Sequence, residues 1–176
     1  MPVMQLDLSP VLDHLDLVAA PVAAALRDWS GATQVTVAPI DPAYADTAAM
    51  CEAYDLPMTG GVNCVLVGGR RDGEERIAAC LVRADTRADV NGVVKRTLDV
   101  RKASFLPMER AVADSAMEYG GITPLGLPQE WRLLLDSRVL DVESACIGSG
   151  LRSSKLFLPG RALAGLPGAE VLDLAS

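Results

Sequence analysis

The chain has 176 residues, half of them hydrophobic, and a formal net charge of -7. That length is enough to bury a substantial core and fits one domain over 1–176 rather than two. The negative balance argues against attraction to a polyanion over the whole surface, while leaving room for a local basic groove. Cys51, Cys64, Cys80 and Cys146 include no CxxC pair and no compact ligand spacing, and His14 is the single histidine. Reduced, mostly buried thiols are therefore expected and a multi-histidine metal site is not; His14 is read as surface or helix packing. The start carries no basic region leading into an apolar signal segment, and no run is long enough to span a bilayer. The expectation is a soluble cytoplasmic protein that needs no membrane.

In chain order the pattern is mixed α/β. Apolar residues at helical spacing over 17–29, with Pro21 suited to a first turn, predict a helix ending at Trp29, itself a packing anchor. Val35-Thr36-Val37 reads as a strand stopped by Pro39, and 46–54 as a helix with Asp46 or Thr47 at its start. Asn63-Cys64-Val65-Leu66-Val67 predicts a strand, Arg70-Arg71-Asp72-Gly73 a turn, and 75–82 the returning arm of a hairpin. Thr86 and Asp89 bracket the start of a helix ending near Leu98, 102–105 reads as a short strand, and Pro107 opens a helix through Met117. The segment 131–136 predicts a central strand, followed by Val139-Leu140 and by Ala145-Cys146-Ile147. A strand over 155–159, a short helix or turn over 161–164 and a closing segment over 169–172 complete the chain.

Two loops draw attention. In Gly120-Gly121-Ile122-Thr123-Pro124-Leu125-Gly126-Leu127-Pro128, glycine permits positive φ or close backbone approach, and proline fixes φ and extends the residue before it. Such a loop can present amide N–H groups to a negative oxygen, or can simply turn the chain. Gly148-Ser149-Gly150 forms a second such loop downstream. Basic residues gather at Lys95-Arg96, Arg101-Lys102 and 152–155, as phosphate contacts or as an ordinary solvated face.

Several motifs in order carry a resemblance over 46–175: Asp89-Val90-Asn91 before a helix ending Lys95-Arg96-Thr97-Leu98, then Lys102-Ala103-Ser104-Phe105, then the 120–128 loop. It continues through Leu135-Asp136, Ile147-Gly148-Ser149-Gly150 and Lys155-Leu156-Phe157-Leu158. Together they resemble the YbaK and prolyl-tRNA-synthetase-associated domain family. The resemblance implies a convoluted, partly barrel-like mixed sheet surrounded by helices. It also implies a freestanding trans-editing deacylase that cleaves the ester of a small mischarged aminoacyl group from the 3′ end of tRNA. An aminoacyl-tRNA synthetase is a further candidate partner, and neither a cofactor nor a metal is required. Whether the aminoacyl group is cysteinyl, alanyl or another small residue stays open.

The same resemblance implies the site. Gly121, Pro124 and Gly126 would position the ester for attack by water or a ribose hydroxyl. Gly120, Ile122 and Thr123 would line its binding loop, and Gly148, Ser149 and Gly150 the opposing wall. The family's usual active-site lysine falls on Asn63 here, a residue that can orient water or an ester but carries no ammonium charge. Lys95, Lys102 and Lys155 are the candidates to replace it in space. The alternatives are a noncatalytic aminoacyl-tRNA or protein-binding member of the same fold, and a small oligomeric α/β protein with an empty cleft. A cysteine hydrolase at Cys64 or Cys146 lacks a base in its neighbourhood. Neither Gly68-Gly69 nor 148–150 makes a nucleotide fingerprint.

Overall fold

In the computed structural model, which describes residues 3–176, nine strands and four α-helices alternate with short 3-10 turns. The chain begins with β1 (Ser9–Pro10), α1 (Ala20–Asp28), β2 (Thr36–Pro39) and α2 (Thr47–Tyr54). It continues through β3 (Val62–Arg71), β4 (Glu74–Arg83), α3 (Lys95–Leu98), β5 (Ser104–Phe105) and α4 (Met108–Ser115). The last four strands are β6 (Arg132–Asp136), β7 (Ala145–Gly148), β8 (Ser154–Leu158) and β9 (Ala169–Leu172).

Local chemistry explains most of these bounds. Pro21 occupies the first turn of α1, where its missing N–H costs no helical bond, and Val22, Ala23 and Leu26 face inward. Leu26 is fully buried, and cutting such a leucine back to alanine costs about 2–5 kcal/mol. Trp29 ends the helix as an anchor, donating its indole N–H to the Gly165 carbonyl at 3.2 Å. Asp89 caps the next helical stretch by accepting from the amides of Gly92 and Val93 at 3.0 and 3.2 Å, and the first turn there is a π-helix over Val90–Val94.

Two expectations need correction. The β3–β4 turn is narrower than the sequence suggests: it is made by Asp72 and Gly73, both at positive φ. Arg70 and Arg71 belong to the ladder opposite Glu75 and Glu74, where opposite charges across the strands extend the pairing. Val139 and Leu140 lie not in a strand but in a 3-10 turn over Ser137–Asp141, which Asp136 starts by accepting from the Arg138 amide.

The strands form two sheets. One is antiparallel, in the order β1-β2-β8-β7; the other is mixed, in the order β5-β3-β4-β6-β9, with β6 parallel to both neighbours. A single bridge, Gly61 to Cys146, joins them at the start of β3. Alternation sorts the side chains into layers. Ala79, Leu81, Leu133 and Leu135 of the mixed sheet meet Val37, Leu156 and Leu158 of the other, together with α1, in the central core. Ala78, Cys80, Val82 and Leu134 face the opposite way, under Val94, Leu98 and Leu174. Ala38 and Phe157, on the outer face of the antiparallel sheet, are covered by Met50 and Tyr54 of α2. No described helix is long and apolar enough to cross a membrane.

Candidate active site

The seam between the sheets opens into a cleft of about 730 Å³, walled by the start of α2, β3, β7, β8 and the Gly120 loop. The side chain that stands out in it is Lys155. Every residue of β8 is buried, and Lys155 shares the face of Phe157, two positions on, so it projects under α2 into the cleft. It is 6 % exposed, among side chains that are almost never buried without a partner. Its Nζ donates to the Gly120 carbonyl at 3.3 Å and makes no salt bridge among the described residues. Burial lowers its pKa from the ordinary lysine value, an effect that Cys146 and Asp46 oppose.

Asn63 lies on the β3 wall of the same cleft. Thr47, the first residue of α2, donates its hydroxyl to Asn63 Oδ1 at 2.8 Å. That bond fixes which way the amide faces and leaves its NH2 group available as a donor.

The Gly120 loop is held from outside by Arg152. Its guanidinium donates to the carbonyls of Tyr119 and Pro42, at 3.0 and 3.1 Å, and its amide to the Glu118 carboxylate at 2.7 Å. Gly120 has φ +89, a conformation that glycine adopts without strain. Arg152 is thus a loop clamp, and Lys155 a buried cleft residue, so this basic run does not form the phosphate-facing cluster its sequence suggests. Lys95, Arg96, Arg101 and Lys102 do not line the cleft either.

Of the residues singled out from sequence, Asn63, Gly120, Ile122 and Gly148 line the cleft. Gly121, Thr123, Pro124, Gly126, Ser149 and Gly150 stand behind its wall. Gly121 donates its N–H to the Glu118 carbonyl at 2.9 Å and lies so close to Leu151 that a Cβ would come within 2.8 Å of the Leu151 carbonyl oxygen. Its amide is therefore already committed within the loop. Gly126, at φ +82, crosses the Pro21 backbone of α1, and Gly150 packs against Ala19. Ser149 and Ser154 are fully buried and share a hydroxyl–hydroxyl bond of 2.7 Å, with Ser154 also donating to Leu17. Thr123 is fully buried, and its hydroxyl has no partner among the described residues.

The thiols are unsuited to nucleophilic attack. Burial pushes Cys80 and Cys146 up to about 12 and raises Cys51 and Cys64 as well, which keeps all four protonated at neutral pH. Among the described residues no three His, Cys, Asp or Glu side chains gather as a metal set.

Sequence reasoning left Lys155 as one lysine among three, yet a signal was present. A lone cation running into Leu156-Phe157-Leu158 must either face solvent or be buried for a reason, and alternation puts it level with Phe157.

Fold and cleft together define a mixed α/β protein with an ammonium group held in a recess at a sheet seam. Residues 41–166 match the aminoacyl-tRNA editing domain, and the chain belongs to that family. Solved structures carry the same fold. One, described as a candidate trans-editing enzyme for prolyl tRNA synthetase, is 19 % identical, with 97 % of this chain and 99 % of that one covered and a TM-score of 0.75. A second, described as a hypothetical protein, is 18 % identical over 86 % and 99 %, with a TM-score of 0.74. A third, from work on grafting epitopes onto scaffold proteins, is 20 % identical over 90 % and 97 %, with a TM-score of 0.75. At these identities the likeness is one of fold.

Proposed function

We propose that this chain is a trans-editing deacylase that hydrolyses the ester of a small mischarged aminoacyl group on the 3′ end of tRNA, with Lys155 supplying the positive charge. The observation that carries the reading is the placement of Lys155: buried, without a salt bridge among the described residues, bonded to the Gly120 carbonyl and lining the same cleft as Asn63. A buried lysine is costly to keep charged, so its place in the cleft beside the Gly120 loop favours a role in stabilising negative charge. Family membership supports the substrate class.

In this mechanism the ester carbonyl enters between Lys155 and the Asn63 amide. Water forms the new carbon–oxygen bond, and the carbonyl oxygen, as it becomes negative, accepts from Lys155 Nζ. The intermediate then breaks its bond to the ribose oxygen, which takes up the proton lost by the attacking water, releasing a free amino acid and deacylated tRNA. Asn63 orients the water or the ester, Thr47 fixes Asn63, and Gly120 holds Lys155. Ile122 lines the pocket for the aminoacyl group, whereas Gly121, Thr123, Pro124, Gly126 and the 149–150 turn support the wall from behind. The mechanism requires neither a metal nor a cofactor.

The second reading is a noncatalytic aminoacyl-tRNA or protein-binding member of the fold, favoured by Asn63 at the place of the family's usual lysine. Time-resolved ester loss from alanyl-, cysteinyl-, seryl- and prolyl-tRNA, with equilibrium binding on the same samples, separates the two. Turnover of one mischarged species above the protein-free rate is the expected result. Tight binding without turnover would establish the second reading instead.

A further inference from the structure

The cleft also holds a carboxylate that the proposed chemistry does not use. Asp46 stands at the N-cap position of α2, where an aspartate ordinarily accepts from the helix's first amides. Here its side chain makes no capping bond. Nor does it form a salt bridge among the described residues. Its neighbour Asp41 does cap its own turn, accepting from Ala43 at 3.0 Å, so a bonded geometry is available to an aspartate in this segment.

Asp46 is exposed at the mouth of the cleft and points along the Gly120 backbone, with Oδ1 3.7 Å from where a Gly120 Cβ would lie. Lys155 reaches the same glycine from the inside, through the Gly120 carbonyl. An anion and a cation therefore flank one residue of the binding loop without neutralising each other in a salt bridge. The nearby Arg152 guanidinium is committed to two backbone carbonyls.

A free carboxylate at the mouth of a cleft that receives the end of a polyanion repels the phosphates; it can accept from a ribose hydroxyl, but only a cation answers its charge. The one fixed positive charge at the aminoacylated end of a tRNA is the α-ammonium of the amino acid. It is separated from the ester carbonyl by a single carbon, so an anion for the amine and a cation for the carbonyl oxygen must sit side by side. Asp141 and Glu143 also line the cleft, on the segment just before β7 rather than at the Gly120 loop.

Resting on the deacylase reading, we propose that Asp46 recognises the free α-ammonium of the bound aminoacyl group, confining the site to unblocked aminoacyl esters and excluding N-acylated and peptidyl ones. An amide nitrogen in place of the ammonium has no charge to offer, and it places an acyl group against the start of α2.

The test uses two probes with the ester replaced by a stable amide, 3′-alanylamino-tRNA and its N-acetyl form, bound to wild type and to Asp46→Asn. The expected result is at least a tenfold preference of the wild type for the free amine. In Asp46→Asn the preference collapses because only the free-amine probe binds more weakly. Equal wild-type affinity for the two probes overturns the proposal, as does an Asp46→Asn change that weakens both alike or binding of neither. A thermal melt of the variant identifies a loss that is merely structural, and Asp46→Glu should recover part of the preference if charge is what matters. Hydrolysis of the matching esters is scored separately. An absence of turnover with the amine preference intact sinks the deacylase reading and leaves amine recognition standing.

Discussion

Two depressions of nearly equal volume mark the surface, the cleft at about 730 Å³ and a second at about 740 Å³ beneath β4, α4 and Trp131. They differ in how their charges are matched. In the second, Arg110 is bonded to Glu75 and Asp114, Arg132 donates from Nε and Nη2 to the two carboxylate oxygens of Glu170, and Arg76 meets Glu74 and Asp99. Its charges apart from the exposed Glu130 are answered internally, and the Arg110 bond holds the Glu75 carboxyl below its usual range. In the cleft, Lys155 is far more buried and, among the described residues, lacks a salt bridge, and Asp46 makes neither a capping bond nor a salt bridge. The lesson is that size does not single out a site. A buried charge without a counter-ion does, because burial costs stability unless a ligand completes the pair; Lys155 is such a charge.

The largest effect expected from breaking this contrast is at Lys155. Lys155→Met should lower ester turnover by about 10²–10³-fold, the usual loss on removing a donor to a developing oxyanion. It should leave thermal stability unchanged or raised, because an apolar side chain of similar length replaces a buried charge. Loss of activity together with a lower melting temperature would assign Lys155 to the fold instead. The same variant sharpens the pH argument. With its pKa lowered in the folded state, Lys155 binds less proton there than in the unfolded chain between the folded and unfolded values. Wild-type stability therefore gains a rising contribution as pH climbs from the folded value to the unfolded one, and a comparison of denaturant midpoints with Lys155→Met isolates it. Turnover that relies on the ammonium falls over the same window.

A middle-sized effect is expected behind the wall. Gly121→Val forces a side chain against the Leu151 backbone, and overpacking of this kind costs about 1–3 kcal/mol. Urea unfolding measures that cost, and turnover should fall with it as the Gly120 loop shifts. Unchanged folding and unchanged deacylation would count against the site. The smallest effect is expected in the second depression. Glu170→Gln removes the partner of an Arg132 that remains largely exposed, and stability should change by at most about 1 kcal/mol, with no change in turnover. The Arg132 bond lowers the Glu170 pKa, so this contribution is present at neutral pH and is lost as pH falls through the folded-state value.

Much of the fold can be read from local patterns. Pro21, Asp89 and Pro107 mark helix starts, and the apolar runs of β3, β4, β6 and β8 mark buried strands, because those signals act within a few residues. The cleft depends on contacts that no local pattern reports. Asp46, Asn63, Gly120 and Lys155 meet only because β2 and β7 flank β8 while Gly61 touches Cys146. The glycines show the same division. Their concentration in the 120–126 and 148–150 loops is plain in the sequence, but what it serves is backbone crossing. Gly121 passes over Leu151, Gly148 over Gly121 and Gly126 over Pro21. The family resemblance supplied the order of the motifs, whereas the location of the positive charge required the register of β8 on β2, with Lys155 opposite Ala38.

The single bridge between Gly61 and Cys146 gives the recess a mechanical character of its own. Each sheet is a continuous ladder, so along the recess the backbone pairing is reduced to that one bridge. What holds the two ladders together beyond it is side-chain packing, with Ala79, Leu81, Leu133 and Leu135 against Val37, Leu156 and Leu158. The recess is a seam glued rather than stitched, and its width is set by how those side chains fill the space behind it.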